Sequence, residues 1–330
     1  MRISPHHSTQ EWRSLKFDSE QDWATAIEIF IDRIHCRFLK YVEKIRGDKH
    51  SGFVILAIDC LLIETLMQFI KGVPETPKGM HKDYYVECLT CEIFEFTEEE
   101  AVKFYDHFRN GIVHQAEIKS SSKVRKGAIP LIKHETDGKG IIINRDLFHV
   151  CFETAIEKYI MKLKDPANVK LRNRFRLKMD LICGRMLYFA YGPNMESSVI
   201  DKYAPRNRFI GVGKLEKHAI AFNKKSVKYN SGVANIIKQK YSEVWGALFL
   251  IDPANLKELD KKEDDYKKDF HKVVLFNDVR MMATMTYVAR KTTNGFLPKR
   301  SYLDGIIKGA HERGLPADYI SMLCKINTDD

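Results

Sequence analysis

The change of periodicity near Arg185 constrains this chain more than any other feature. Upstream of it, apolar residues recur in steps of three and four. Trp23, Ala26, Ile27, Phe30, Ile31, Ile34, Phe38, Tyr41, Val42 and Ile45 mark one face of a long helix over 19–46, ending before Gly47. Residues 51–70 are apolar on nearly every side, the pattern of a central helix covered by neighbours. Thr97 with Glu100 forms a capping box that opens a third helix through Phe108. Asn144 caps a fourth running to about Lys164, where Asp165-Pro166 ends it. Between them, 128–143 alternate weakly around Asp137-Gly138 and predict a hairpin. Downstream come short strand-like runs: Met186–Tyr191, Phe209–Val212, Ala219–Phe222, Val233–Ile237, Val244–Ile251, Lys272–Phe276 and Ala283–Val288. Helical stretches at Met195–Tyr203, Ala254–Lys262, Tyr302–Glu312 and Ala317–Ile326 separate them without a βαβ rhythm.

The expected fold class is therefore α+β in two domains. An N-terminal helical bundle with a small hairpin (1–165) leads through a basic linker (166–185) to a mixed β-barrel or sheet with helices (186–330). The length, 330 residues, is about twice that of a usual domain. The stretch from Lys162 to Arg185 carries eight basic residues against Asp165 and Asp180, a solvated stripe or a phosphate-binding one.

The net charge of +10 favours anionic partners and is unevenly spread. Residues 181–330 hold 25 Lys/Arg against 17 Asp/Glu; residues 1–180 hold 29 against 27. The most apolar stretch, Phe53 to Ile70, is interrupted by Asp59, Glu64 and Gln68, so no membrane span is expected. Residues 1–7 lack the apolar run of a secretory signal, and seven scattered cysteines suit a reducing compartment, so a cytoplasmic location is expected. Cys88 and Cys91 have CxxC spacing but no second pair to complete a zinc site. His6, His7, His81, His134 and His271 show no paired ligand spacing and read as surface residues; neither metal nor cofactor is expected.

Two downstream segments carry chemistry. Leu187–Met195 is an apolar strand entering a Gly-Pro-Asn turn and then a helix, a junction that aims backbone N–H groups at one centre as an anion cradle. Leu259-Asp260-Lys261-Lys262-Glu263-Asp264-Asp265 ends an amphipathic helix and by itself reads as a charged terminus in water. In order along the chain stand Tyr191-Gly192-Pro193-Asn194-Met195, Val244-Trp245-Gly246, Leu259–Glu263, Tyr302, Gly309-Ala310, Gly314-Leu315-Pro316 and Tyr319. This series, covering about 186–326, resembles the γ-glutamylcyclotransferase family, whose motifs are YGSN-(Leu/Met), VWG, LDxxEG and a closing GA…GLP…Y.

The resemblance implies attack of a γ-glutamyl α-amine on its own side-chain amide, releasing 5-oxoproline and an amine or amino acid from a small anionic substrate. Glu263 falls at the catalytic Glu and would act as general base and then general acid. Tyr191, Gly192, Pro193, Asn194, Met195, Phe270 and Tyr302 would bind substrate, the loop's N–H groups holding the α-carboxylate and the developing oxyanion. The chain differs from the family at Pro193 (Ser), at Asp264 (Gly) and at Phe270, where some relatives have a substrate-contacting Tyr.

Upstream, Arg109-Asn110-Gly111-Ile112-Val113-His114 is the polar signature of the helical half. With Leu61–Thr65 on the central helix, it resembles the Rx4–6H motif of HEPN domains, helical bundles that are often dimeric and in many cases metal-independent ribonucleases. That resemblance implies a homodimer through this domain, RNA as a partner, His114 in proton transfer, Arg109 on the phosphorane charge and Asn110 in support. Residues five apart on a regular helix lie about 140° apart. Arg109 and His114 would then meet only if Gly111 broke the helix or a second protomer completed the site; otherwise Arg109 would pair within the bundle, for instance with Glu64. In the alternative reading of the whole chain, the downstream domain is a non-catalytic metabolite sensor that regulates an RNA-acting upstream domain.

Overall fold

The computed structural model describes residues 1–227, 230–276, 280–293 and 295–329. It divides into two compact units, Met1–Cys183 and Gly184–Asp330.

In the first unit, α1 (Thr9–Ser14) precedes α2 (Glu20–Ile34), which passes through a π-helical segment (His35–Leu39) into α3 (Lys40–Ile45). The central helix α4 (Gly52–Lys71) ends in a left-handed residue at Gly72. α5 (His81–Leu89), which the apolar spacing does not announce, follows. The Thr97 capping box opens α6 (Glu98–Lys103), and the helix continues through a π-helical segment (Phe104–Arg109) into α7 (Asn110–Gln115), beyond the expected end at Phe108. The hairpin of β2 (Ile132–His134) and β3 (Ile141–Asn144) gains β1 (Lys123–Arg125), parallel to β3. The Asn144 side chain caps α8 (Arg145–Lys164) through the Asp146 and Leu147 N–H groups.

Two aromatic clusters hold the helices: Phe30, Phe69, Tyr159 and Phe175 in one, Phe94, Phe96, Phe104 and Phe148 in the other. By length and composition α4 is apolar enough to cross a membrane, and half of its apolar stretch is buried within the unit. Asp59 on α4 is fully buried and hydrogen-bonded to His149 of α8 at 2.7 Å, a pairing that offsets only part of the cost of burial, which still raises its carboxyl above the usual range.

The stretch read as a linker is instead α9 (Val169–Ile182), part of this unit. Its cations are used in packing. Arg172 donates to both Glu20 carboxylate oxygens at 2.7 Å and stacks on Trp23. Arg174 donates to the Ile70 carbonyl, and buried Lys178 to Gln68 Oε1 and the Pro74 carbonyl. The alternating charge and apolar positions are those of an amphipathic helix whose inner rim is basic.

The second unit is a closed barrel in the order β4–β6–β5–β7–β8: β4 (Met186–Ala190), β5 (Arg208–Ser226), β6 (Ser231–Ile251), β7 (Tyr266–Leu275) and β8 (Met281–Ala289). Antiparallel pairs run around it, and the parallel contact of β4 with β8 at Tyr188 and Met285 closes it. Four of the short runs read from sequence are two long strands. The middle of β6, about 237–243, is solvent-facing and mostly polar, so it mimics a turn. Bulges between Phe209 and Gly211 and between Glu216 and His218 bend β5, which lets so long a strand curl. α10 (Ser197–Tyr203), α11 (Pro253–Lys262), α12 (Arg300–Arg313) and α13 (Ala317–Cys324) complete the unit.

Candidate functional site

β4 delivers the Tyr191–Met195 loop at one end of the barrel. After extended Gly192, Pro193 opens a 3-10 turn through Met195, closed by the Met195 N–H on the Gly192 carbonyl. The turn is held from behind by α12. Gly309 approaches it so closely that a Cβ there would lie 2.8 Å from the Glu196 nitrogen and 2.9 Å from the Met195 Cβ. Arg313 adds a hydrogen bond to the Met195 carbonyl.

Opposite the loop, α11 starts at its Asp252 cap and ends at Glu263. The Glu263 side chain is mostly shielded, at 16% exposure. Its Oε1 accepts from Asn194 Nδ2 at 3.2 Å and lies 3.2 Å from the Lys262 ammonium. Asn194 Nδ2 also donates to the Tyr188 hydroxyl at 2.7 Å, and Lys262 bonds the Asn194 side-chain oxygen. Glu263 and the loop thus face one another across a cavity of about 630 Å³. Tyr191, Gly192, Pro193, Asn194 and Tyr302, all expected at a substrate site, line it together with Glu263 and Asp264.

Two expectations are corrected. Met195 is fully buried beneath the turn and does not line the cavity. Phe270 is 66% exposed on β7 and also lies off the cavity wall; Val273 and Leu275 face the barrel core, and Phe270 falls on the opposite parity of the strand.

Tyr188, Tyr266 and Tyr287 line the cavity without having been foreseen. Tyr266 donates to the Ala234 carbonyl, Tyr287 to Asp260, and Tyr191 to the Tyr287 carbonyl. Burial raises the hydroxyls of Tyr188, Tyr191, Tyr266 and Tyr287 far above their ordinary value, so they remain neutral donors. Tyr302 accepts from the Ala234 N–H. Lys224 also reaches the cavity, paired to Asp265 at 2.7 Å.

In the helical unit, Arg109 Nη1 lies 3.3 Å from His114 Nε2 within one chain, and Nη1 also donates to Asn110 Oδ1 at 3.2 Å. The helix does not break at Gly111; the long arginine side chain spans the angular gap. Gly111 serves another purpose, since a Cβ there would lie 2.2 Å from the Glu117 carbonyl oxygen of the chain folding back. Arg109 Nη2 donates to Glu64 Oε2 at 3.0 Å, and Glu64 Oε1 lies 2.9 Å from His81 Nδ1. Burial alone would raise the Glu64 carboxyl; hydrogen bonds from Arg109 and Thr76 and the neighbouring cations outweigh it and hold it below its usual range. His81, read as a surface residue, thus joins the polar cluster of Glu64, Arg109, Asn110 and His114.

Residues 243–323 match the AIG2-like family model. Over 150 residues, 44% of this chain and 80% of the relative, the chain is 29% identical to the γ-glutamylcyclotransferase of Bos taurus. It is also 29% identical to that of Homo sapiens, over 152 residues and 80% of that protein. A solved structure titled as a γ-glutamyl cyclotransferase is similar at 27% identity and a TM-score of 0.42, covering 44% of this chain and 90% of the other. The segment 243–323, which supplies Glu263, Tyr266 and Tyr302, is an AIG2-like region of the γ-glutamylcyclotransferase family.

Proposed function

We propose that the barrel unit cyclises a γ-glutamyl amide to 5-oxoproline, with Glu263 as the acid/base residue. The observation that carries this reading is the position of Glu263 in the cavity, in contact with the Tyr191–Met195 loop through Asn194. The substrate's α-ammonium gives a proton to the Glu263 carboxylate. The freed amine attacks the γ-carbonyl carbon and a ring C–N bond forms; Glu263 passes its proton to the leaving nitrogen as the original amide bond breaks, and the second proton of the ring nitrogen follows it to the departing amine, leaving a neutral lactam and an ammonium. Loop N–H groups other than those of Pro193, which has none, and Met195, which bonds the Gly192 carbonyl, hold the α-carboxylate; the neutral Tyr188 hydroxyl, which accepts from Asn194, supplies a donor without adding charge. The expected result is 5-oxoproline from at least one member of a γ-glutamyl peptide and amine panel, abolished by Glu263→Gln. No product from any member, with a natively folded protein, contradicts the reading.

The contact of Arg109 with His114 favours a second activity in the helical unit: a HEPN-type, metal-independent ribonuclease working as a homodimer, with the arginine on the phosphorane charge and His114 moving a proton. The ion pair of Arg109 with Glu64 is the pairing within the bundle that the sequence offered as the alternative. Cleavage of bulk RNA in the presence of EDTA, lost in His114→Ala, is the expected result. Binding without cleavage would reduce this unit to an RNA-binding module, and absence of both would remove RNA from the account.

A further inference from the structure

We propose that His6, Asp32 and Cys36 form a binding site for a divalent transition metal of the zinc type, fastening the N-terminal segment to α2. The three residues each offer one ligand atom, and these atoms all lie within 4.8 Å of one another. Neither the catalytic cavity nor the Arg109 cluster uses them.

The site is built from both sides. Asp32 and Cys36 are four residues apart, so they share a helical face where α2 passes into the π-helical segment His35–Leu39. Single π-helical turns inside α-helices frequently accompany functional sites. His6 arrives from a closed loop, pinned by the Arg2–Ser8 bridge and by the Ile3 and Ser4 N–H groups on the His7 carbonyl. The loop sets His6 Nδ1 at 2.7 Å from Asp32 Oδ1, while the His6 backbone N–H donates to Oδ2 at 3.2 Å. That second bond leaves Oδ1 as the ligand atom and orients the carboxylate, as outer-shell partners do in metal sites. The His6 side chain is 68% exposed and Asp32 11%, so the site has a shielded floor and an open entrance.

The donor set selects the metal. An imidazole nitrogen, a carboxylate oxygen and a thiolate sulfur suit zinc, with a fourth position left for water, whereas magnesium and calcium require oxygen ligands throughout. On binding, the Cys36 thiol loses its proton to solvent. The two anionic ligands then balance the charge of the cation.

The test is a cobalt(II) titration of the full chain after metal removal. The expected result is a thiolate-to-cobalt charge-transfer band and tetrahedral d–d bands that saturate at one cobalt per chain and vanish when zinc is added. Cys36→Ser abolishes the charge-transfer band. His6→Ala, at an exposed loop position, weakens cobalt binding by at least about tenfold. Far-UV circular dichroism confirms that both variants are folded. Absence of the band in the wild-type chain, or a band that survives Cys36→Ser and therefore reports another cysteine, overturns the proposal. Equal cobalt affinity in the wild type and His6→Ala overturns it as well.

Discussion

Lys178 shows how a residue that looks like solvated charge can be a structural element. Burial lowers its ammonium from an ordinary 10.5 to about 8, against Gln68 and Pro74 oxygens that hold it in place. Between those two values the unfolded chain keeps the proton and the folded chain has lost it. Stability referenced to Lys178 therefore rises as pH increases from about 8 toward 10.5, by up to about 3 kcal/mol. Denaturant titrations of the wild type and Lys178→Met across that window should show the difference between them shifting in favour of the wild type; a constant difference would mean that the ammonium is not desolvated. Glu263 and Asn194 were legible as single residues because ordered motifs name them. Tyr188, Tyr266 and Tyr287 were not, since a buried tyrosine in a strand looks the same whether its hydroxyl faces a cavity or a neighbouring backbone. His6, Asp32 and Cys36 were equally invisible, because their ligand atoms are brought together by a loop and a helix far apart in sequence.

Among the elements, helices announced themselves through caps and period, as with Thr97, Asn144 and the face from Trp23 to Ile45. The strands were harder to delimit. A long barrel strand with a polar, solvent-facing middle reads as two short ones, and α9 read as a linker because its buried face is rimmed by Arg172 and Lys178. The packing of α12 on the Pro193–Met195 turn supplies a test at this scale. Gly309→Ala places a methyl against backbone that cannot yield easily, so a loss of about 1–3 kcal/mol in unfolding free energy is expected. Because the displaced turn carries the substrate loop, kcat/KM for 5-oxoproline formation should fall in the same variant at temperatures where it is fully folded. Unchanged stability and kinetics would show that the close approach has no bearing on the site.

Over the whole molecule, the change of texture near Arg185 separates two units with different chemistry. The helical unit gathers Glu64, His81, Arg109 and His114; the barrel gathers Glu263, Asn194 and a set of neutral tyrosines around one cavity. Several of the cations that composition alone would assign to nucleic acid are engaged within the chain, as Arg172 is by Glu20, Lys224 by Asp265 and Lys262 by Glu263 and Asn194. That the carboxylate at position 263 moves the proton is the proposal on which the cyclisation rests. It is tested most directly by measuring 5-oxoproline and the released amine together, for the wild type and Glu263→Gln, with the best substrate of a γ-glutamyl panel. The wild type is expected to give equal amounts of both products and the variant neither above background. Comparable 5-oxoproline formation by Glu263→Gln would contradict it.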